Sequence, residues 1–200
     1  MTITTQTVNE LLTSLAAKQP TPGGGAVAGI LAALSTSLAQ MVLAYTEGKS
    51  RYKEHEKLQT DCANFLQSAS DEAIVLAEED ARAYKALNAL WKLEKDNPKR
   101  IASWDDALGH AIEVPMKTME LSNRILITLQ TLVGKTNAML SSDLVIAAIL
   151  AESAARAASL NVEINLQQLA KDEHRDTLQT QTVTMLADCK TICKSIGDAC

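Results

Sequence analysis

The sequence has few aromatic side chains, few turn-forming residues and only a small excess of acidic charge. Its 200 residues include two Trp, three Tyr and one Phe, with eight Gly and four Pro. Scarce aromatics and a net charge of −5 argue against a protein that stacks on nucleic-acid bases or neutralises phosphate backbones. We therefore expect no nucleic-acid partner, and a single domain over residues 1–200 with an aliphatic core.

Cysteine and histidine are also scarce. The four cysteines follow no metal-binding pattern beyond Cys189 and Cys193, four residues apart, and none of the three histidines has metal-ligand spacing. We expect reduced thiols and no metal. The first twelve residues, MTITTQTVNELL, show no basic region followed by an apolar run, so we expect no signal peptide and a cytoplasmic location.

Charge is missing entirely from a 28-residue stretch, Gln19 to Thr46. Part of this stretch is long enough to span a bilayer. However, polar residues lie at its centre (Ser35, Thr36 and Ser37), many of its apolar residues are only Ala or Gly, and no aromatic belt marks both ends. These features favour a buried central helix in a protein without a membrane span.

The stretch begins with a turn, PTPGGG, over residues 20–25. Two prolines and three glycines before a helix can place several backbone N–H groups on one concave surface, which suits an anionic or strongly polar ligand. The turn therefore predicts a ligand cradle, and its substrate-binding candidates are Pro22, Gly23, Gly24 and Gly25.

The rest of the chain has helical periodicity and shows no strand pattern. Breaks at Gly48, Asn97-Pro98 and Gly134 separate the helical runs, and a capping box of Thr7 and Glu10 predicts a short first helix. We predict an all-α fold, an up-and-down bundle around the charge-free helix. That helix is more apolar than a monomer of this size needs, which predicts a homodimer or a higher homo-oligomer.

Six short segments occur in the order and spacing of a known family. They are PTPGGGAVAG (20–29), GKSRY (48–52), DARAY (80–84), AIEVP (111–115), NAMLSSDL (137–144) and NVEINL (161–166). With them the chain resembles the cyclodeaminase/cyclohydrolase family of folate enzymes over nearly its whole length. The resemblance implies an all-helical dimer. One position departs from it: Ala26 stands where relatives often carry Ser, which removes a hydroxyl from the cradle.

The resemblance implies a tetrahydrofolate substrate carrying a one-carbon unit, with no other cofactor, and possibly with a polyglutamate tail. The first hypothesis is a 5,10-methenyltetrahydrofolate cyclohydrolase, which opens the methenyl ring with water to give 10-formyltetrahydrofolate. The alternative is a formiminotetrahydrofolate cyclodeaminase, in which nitrogen attack on the formimino carbon releases ammonia. A third hypothesis is a non-catalytic folate-binding or assembly module, to which the Ala26 departure points.

Two carboxylates are the main catalytic candidates. Asp143 lies in the first turn of a predicted helix, where the helix dipole favours the ionised form that could stabilise a cationic carbon. The position of Asp143 is also typical of an ordinary acidic residue in the first turn of a helix, without a catalytic role. Asp80 follows Glu78 and Glu79, and like charge together with burial under Tyr84 would raise its pKa and suit a proton shuttle. The same run is also typical of a solvated acidic face.

The remaining candidates depend mainly on the motifs. Lys49 lies in the densest basic cluster and could meet a carboxylate of the glutamate tail or the reacting centre. The other predicted substrate-binding residues are Tyr84, Asn137, Ser142, Asn161 and Asn165.

Asn161 lies 18 residues after Asp143, about 27 Å along a straight helix. The two residues therefore serve opposite ends of a long ligand, or belong to sites related by a dimer axis, or Asn161 is structural.

Overall fold

The computed structural model describes residues 2–200, which fold into helices without a strand. The six α-helices are α1 (Val8–Ala16), α2 (Gly24–Ala44), α3 (Glu56–Trp91), α4 (Pro98–Leu132), α5 (Ser141–Leu166) and α6 (Glu173–Ala199). Short 3-10 turns occupy Ile3–Thr5, Ser50–His55 and Ala138–Leu140. The predicted all-α bundle is confirmed.

Local signals place several of the helix starts. Thr7 and Glu10 form the predicted capping box, and Asp172 caps α6 through a hydrogen bond from the Arg175 N–H. From their position after Gly134, Ser141 or Ser142 is predicted to cap α5, but this prediction is wrong. The helix begins at Ser141 without a side-chain cap, because the preceding 3-10 turn leads directly into it.

Helix α2 packs against α3, α4 and α5, and α4 contacts α2, α3, α5 and α6. Small residues let the backbones approach closely: a Cβ at Gly29 would lie 2.7 Å from the Ala73 carbonyl oxygen on α3. Any side chain at Gly29 would therefore push α2 and α3 apart.

Burial of α2 by its own chain is incomplete. Ala28, Ala32 and Ala39 are fully buried, but Leu34 is 51% exposed. The segments Gly24–Ala44 and Ala138–Leu166 are long and apolar enough to cross a membrane by length and composition alone. The core helix of a soluble protein meets the same criterion, so this finding is weak evidence for a span.

Helices α2 and α5 run antiparallel, and this orientation defines two ends of the bundle. The Ser35 hydroxyl, in the middle of α2, donates to the Ala147 carbonyl oxygen in the first half of α5 at 2.7 Å. The start of α2 then lies beside Asn161, and we call this the glycine end. The end of α2 lies beside the loop before α5, and we call this the Asp143 end.

Candidate functional site

A cavity of about 420 Å³ opens at the glycine end. Four helices contribute to it: the start of α2, the second half of α3, Ala111 on α4 and the last turns of α5. The lining residues are Pro20, Thr21, Gly23, Gly24, Gly25, Asp80, Ala83, Tyr84, Trp91, Ala111, Asn161, Ile164, Asn165 and Gln168. Seven residues predicted from the sequence to form the site therefore meet in one cavity.

Asp80 lies against the N-terminus of α2. The Asp80 carboxylate accepts a hydrogen bond from the Ala26 N–H, and the N-cap residue Gly23 has no side chain that could act as this acceptor. A Cβ at Gly25 would lie 1.9 Å from the Asp80 Oδ1. Asp80 thus caps α2 from another helix, and only glycine at position 25 leaves room for it.

This geometry corrects the predicted cradle. Gly24 and Gly25 belong to the first turn of α2 and not to the preceding loop. Pro22 was predicted to bind substrate, but it is not among the residues that line the cavity, whereas Pro20 and Thr21, which precede it, are. The Ala26 side chain is fully buried, so its backbone N–H is the group that it offers to the site.

Burial raises the pKa of Asp80 to about 6, although the hydrogen bond from the Ala26 N–H acts in the opposite direction. The sequence predicted a raised pKa but attributed part of it to Glu78 and Glu79. Both of these acids lie 3.8 Å from the Arg82 guanidinium. Desolvation is therefore the cause, and it leaves a carboxyl group that exchanges its proton near neutral pH.

Two amides on α5 form part of the cavity wall near Asp80. The Asn161 Nδ2 donates to the Ala157 carbonyl oxygen at 2.9 Å, and the Asn165 Nδ2 donates to the Ala111 carbonyl oxygen at 2.6 Å. Within residues 2–200, no hydrogen bond is donated to either side-chain carbonyl oxygen. Both oxygens can therefore accept hydrogen bonds from a ligand.

Aromatic rings form the α3 side of the cavity. Tyr84 was predicted, but Trp91 was not. The two rings lie 6.3 Å apart between centroids, in an edge-to-face arrangement. Trp91 follows Tyr84 by seven residues, two helical turns on the face that also carries Asp80, and this spacing is the sequence signal that could have identified it. Gln168 also lines the cavity and was not predicted, although it follows Asn165 by three residues, about one helical turn.

The other predicted residues lie at the Asp143 end. Asp143 is half-buried in the first turn of α5, and Ser142 is exposed. Asn137 is buried, and its side-chain oxygen accepts a hydrogen bond from the Met139 N–H at 3.3 Å. Its backbone N–H donates to the Thr46 Oγ1 at 2.9 Å. Asn137 therefore fixes the loop before α5, a role that the substrate-binding prediction did not include.

Lys49 lines a second cavity of about 650 Å³ at this end, together with Tyr52, Lys53 and Gln59. The Tyr52 hydroxyl accepts a hydrogen bond from the Ala138 N–H at 3.0 Å, which ties this region to the loop before α5. Asp143, Ser142 and Asn137 do not line this cavity.

The single chain therefore does not join the two predicted catalytic carboxylates. Asp80 lies at the end of α5 that carries Asn161, while Asp143 begins the same helix about 27 Å away. In the part of the chain that the structure describes, no three His, Cys, Asp or Glu side chains are arranged to hold a metal ion.

The chain is also similar in sequence to known proteins. The model of the family described as Formiminotransferase-cyclodeaminase matches residues 7–184. The formimidoyltransferase-cyclodeaminase of Rattus norvegicus is 31% identical over 179 residues, which cover 88% of this chain and 33% of that protein. This chain thus spans about a third of the length of its vertebrate relatives.

Two bacterial proteins match over most of their own length. The methenyltetrahydrofolate cyclohydrolase of Methylorubrum extorquens is 29% identical over 171 residues, 82% of this chain and 81% of that protein. The crystal structure of a formiminotetrahydrofolate cyclodeaminase from Thermotoga maritima superposes with a TM-score of 0.89 at 24% identity, covering 98% of this chain and 96% of that one. This structural match shows a shared fold.

Proposed function

The chain belongs to the formiminotransferase-cyclodeaminase family, and from this premise we propose that it is a 5,10-methenyltetrahydrofolate cyclohydrolase. The glycine-end cavity is its reaction site, and the observation that carries the proposal is Asp80, a partly buried carboxyl group in that cavity with a pKa of about 6. The cyclohydrolase of Methylorubrum extorquens matches over 81% of its length, which supports this activity in a domain of this extent.

The chemistry needs one group that moves a proton twice. Asp80 as carboxylate accepts a proton from water while the water oxygen bonds to the cationic methenyl carbon. The protonated Asp80 then gives this proton to N5 as the bond between the carbon and N5 breaks. The hydroxyl proton leaves to solvent as the formyl C=O forms. One water is consumed and one proton is released, so a cation becomes a neutral formyl compound.

The cavity also suits the formimino substrate, and formiminotetrahydrofolate cyclodeaminase is the second candidate. The relatives named formimidoyltransferase-cyclodeaminase favour it, since they include the one at 31% identity. In this reaction N10 attacks the formimino carbon and ammonia leaves. Protonated Asp80 would supply the proton that the departing nitrogen needs.

A single assay separates the candidates. Purified protein is incubated with 5,10-methenyltetrahydrofolate and, separately, with formiminotetrahydrofolate, while the methenyl absorbance is followed. We expect the absorbance to fall faster in the first reaction than without enzyme. A rise in the second reaction alone would identify the cyclodeaminase. If the absorbance changes in neither reaction although the protein binds folate, the result supports the non-catalytic binding module.

We also propose that the working form is a homodimer, formed through the exposed face of α2 and α5. Along α5 this face carries Ile146, Ile149, Leu160 and Ile164, whose spacings of three, eleven and four residues keep them on one side of a helix, and α2 adds Leu34. Helix α2 has no charged side chain, so a second copy of the same face is a chemically matched partner.

The orientation of α2 and α5 supports a further step. A two-fold axis in the plane of this face and perpendicular to both helices would place the glycine end of one copy against the Asp143 end of the other. Each reaction site would then receive Asp80 from one protomer and Asp143 from its partner, with Asp143 stabilising the cationic carbon. Lys49 would reach the anionic glutamate tail of the folate, which can be polyglutamylated.

The dimer is tested by sedimentation. Wild-type protein is expected to be dimeric at micromolar concentration, and Ile149→Glu is expected to be monomeric, because it places a charge in the apolar face. Val183→Glu is the matched control, since Val183 is 55% exposed on α6, away from this face. A monomeric wild-type protein would overturn the dimer. We further propose a cytoplasmic protein that needs no cofactor besides its folate.

A further inference from the structure

Half of the aromatic residues of the chain form one contiguous cluster beside the glycine-end cavity. Tyr84 and Trp91 lie 6.3 Å apart, and Trp91 lies 6.3 Å from Trp104 on α4. Both tryptophans of the protein are therefore in this cluster. Among the buried core residues that the structure describes, in contrast, Tyr52 is the one aromatic side chain.

Two residues that do not line the cavity, Arg100 and Trp104, hold the cluster in place. The Arg100 guanidinium lies 4.7 Å from the centre of the Trp104 ring and donates a hydrogen bond to the Leu93 carbonyl oxygen at 2.8 Å. These contacts tie the start of α4 to the end of α3. Trp104 does not line the cavity and supports Trp91 edge to face. The indole of Trp91 is thus a fixed part of the wall.

Two large rings remain open to solvent on this wall. Trp91 is 38% exposed and Tyr84 is 42% exposed, although both line the cavity. Aromatic rings whose role is core packing are usually buried more completely. Fixed, partly exposed rings in a cavity favour stacking on a flat conjugated ring.

The same cavity offers acceptors for the edge of such a ring. The side-chain oxygens of Asn161 and Asn165 are free because their amide nitrogens already donate to backbone carbonyls. A pterin carries N–H donors on its edge, whereas the p-aminobenzoyl ring has none on the ring itself. The pterin combines a flat conjugated face that can stack with N–H donors on its edge.

We infer that Trp91, together with Tyr84, binds the substrate by stacking on its pterin ring. The inference rests on the proposed function, since it names the part of the folate that occupies this wall. It adds to that function a binding residue outside the matched sequence motifs. Trp91 orients the pterin while Asp80 acts on the one-carbon unit.

The test uses isothermal titration calorimetry with 5-formyltetrahydrofolate as the probe. Trp91→Leu is expected to weaken binding roughly 5- to 100-fold, the range of one lost aromatic stacking contact. Trp91→Phe is expected to keep most of the affinity because it keeps a flat ring. Trp104→Leu is the matched control: it removes the supporting indole without opening the cavity, so its effect should be smaller. Thermal melting confirms that each variant is folded.

A second arm identifies the ring. Ligand-observed NMR is recorded with 6-methyltetrahydropterin and, separately, with p-aminobenzoylglutamate. The inference is supported if Trp91→Leu no longer binds 6-methyltetrahydropterin but still binds p-aminobenzoylglutamate. If Trp91→Leu binds the full probe as wild type does, or loses only p-aminobenzoylglutamate, the inference is overturned while the proposed function stands. If wild-type protein binds no folate at all, both are overturned.

Discussion

The two ends of the bundle carry similar chemical groups but use them differently. At the glycine end, side chains from α3 and α5 converge with the N-terminus of α2 on one cavity. At the Asp143 end, the Asn137 side-chain oxygen accepts a hydrogen bond from the Met139 N–H, and Lys49 and Ser142 are exposed. The glycine-end cavity brings Asp80 together with two amides and two aromatic rings, whereas the second cavity, at the Asp143 end, is lined by Lys49 but not by Asp143. Under the proposed dimer a complete site would need both ends, which a single chain keeps apart.

Replacement of Asp80 should have the largest effect. Asp80→Asn keeps the shape but cannot carry a proton, so we expect turnover to fall about 100- to 10,000-fold. Wild-type turnover should drop below a pH of about 6, because the carboxylate form must accept the proton from water. The variant should lose this limb of the pH–rate profile. Glu79→Gln, which removes a neighbouring acid paired with Arg82, should change neither.

Asp143→Asn tests the opposite end of the bundle. Loss of one electrostatic stabiliser of the cationic carbon should lower turnover roughly 100- to 1,000-fold without shifting the limb assigned to Asp80. Asp176→Asn is the matched control, since Asp176 is also an acid in the first turn of its helix, α6. Turnover of Asp143→Asn equal to that of the control would leave Asp143 as an ordinary helix-start acid.

Two adjacent glycines sharpen the comparison within the glycine end. A Cβ at Gly25 overlaps the Asp80 carboxylate, whereas a Cβ at Gly24 would lie 3.7 Å from the Asn161 Oδ1, an ordinary contact. Gly25→Ala should therefore displace Asp80 and lower kcat about 100-fold, while Gly24→Ala stays near wild type. Equal kcat values for the two variants would contradict the assigned position of Asp80.

The smallest expected effect is on stability. The folded-state pKa of Asp80, about 6, exceeds its ordinary value of 3.8, so folded protein binds the proton more tightly than unfolded protein between these values. The contribution of Asp80 to stability is therefore lost as the pH rises through about 6. Asp80→Asn should be more stable than wild type at pH ~8, by up to roughly 3 kcal/mol, and equally stable near pH ~4. Urea denaturation at both pH values would measure this, and a wild-type protein at least as stable as the variant at the higher pH would contradict it.

Much of the fold was predictable from the sequence because its signals are local. The capping box at Thr7, the Asp172 cap and the charge-free run of α2 each depend on neighbouring residues. The start of α5 was placed wrongly in detail, because its cap depends on the 3-10 turn before it and not on the serines.

The site was predictable as a set of residues but not as an arrangement. Motifs identified Asp80, Tyr84, Asn161 and Asn165, which meet at one cavity. Sequence reasoning attributed the pKa of Asp80 partly to its acidic neighbours, because burial depends on which helix packs against it. Trp91 was missed although it shares a helix face with Asp80 and Tyr84, because the sequence does not show that this face meets α5 at a cavity.

The central claim is that each site joins Asp80 of one protomer to Asp143 of its partner. The direct test is to unfold Asp80→Asn and Asp143→Asn together, refold the mixture and measure turnover. If sites are shared, a mixed dimer has one site with both carboxylates intact, and random pairing restores about a quarter of wild-type turnover. If each chain holds its own complete site, every site in the mixture lacks one carboxylate, and turnover stays at the level of the separate variants.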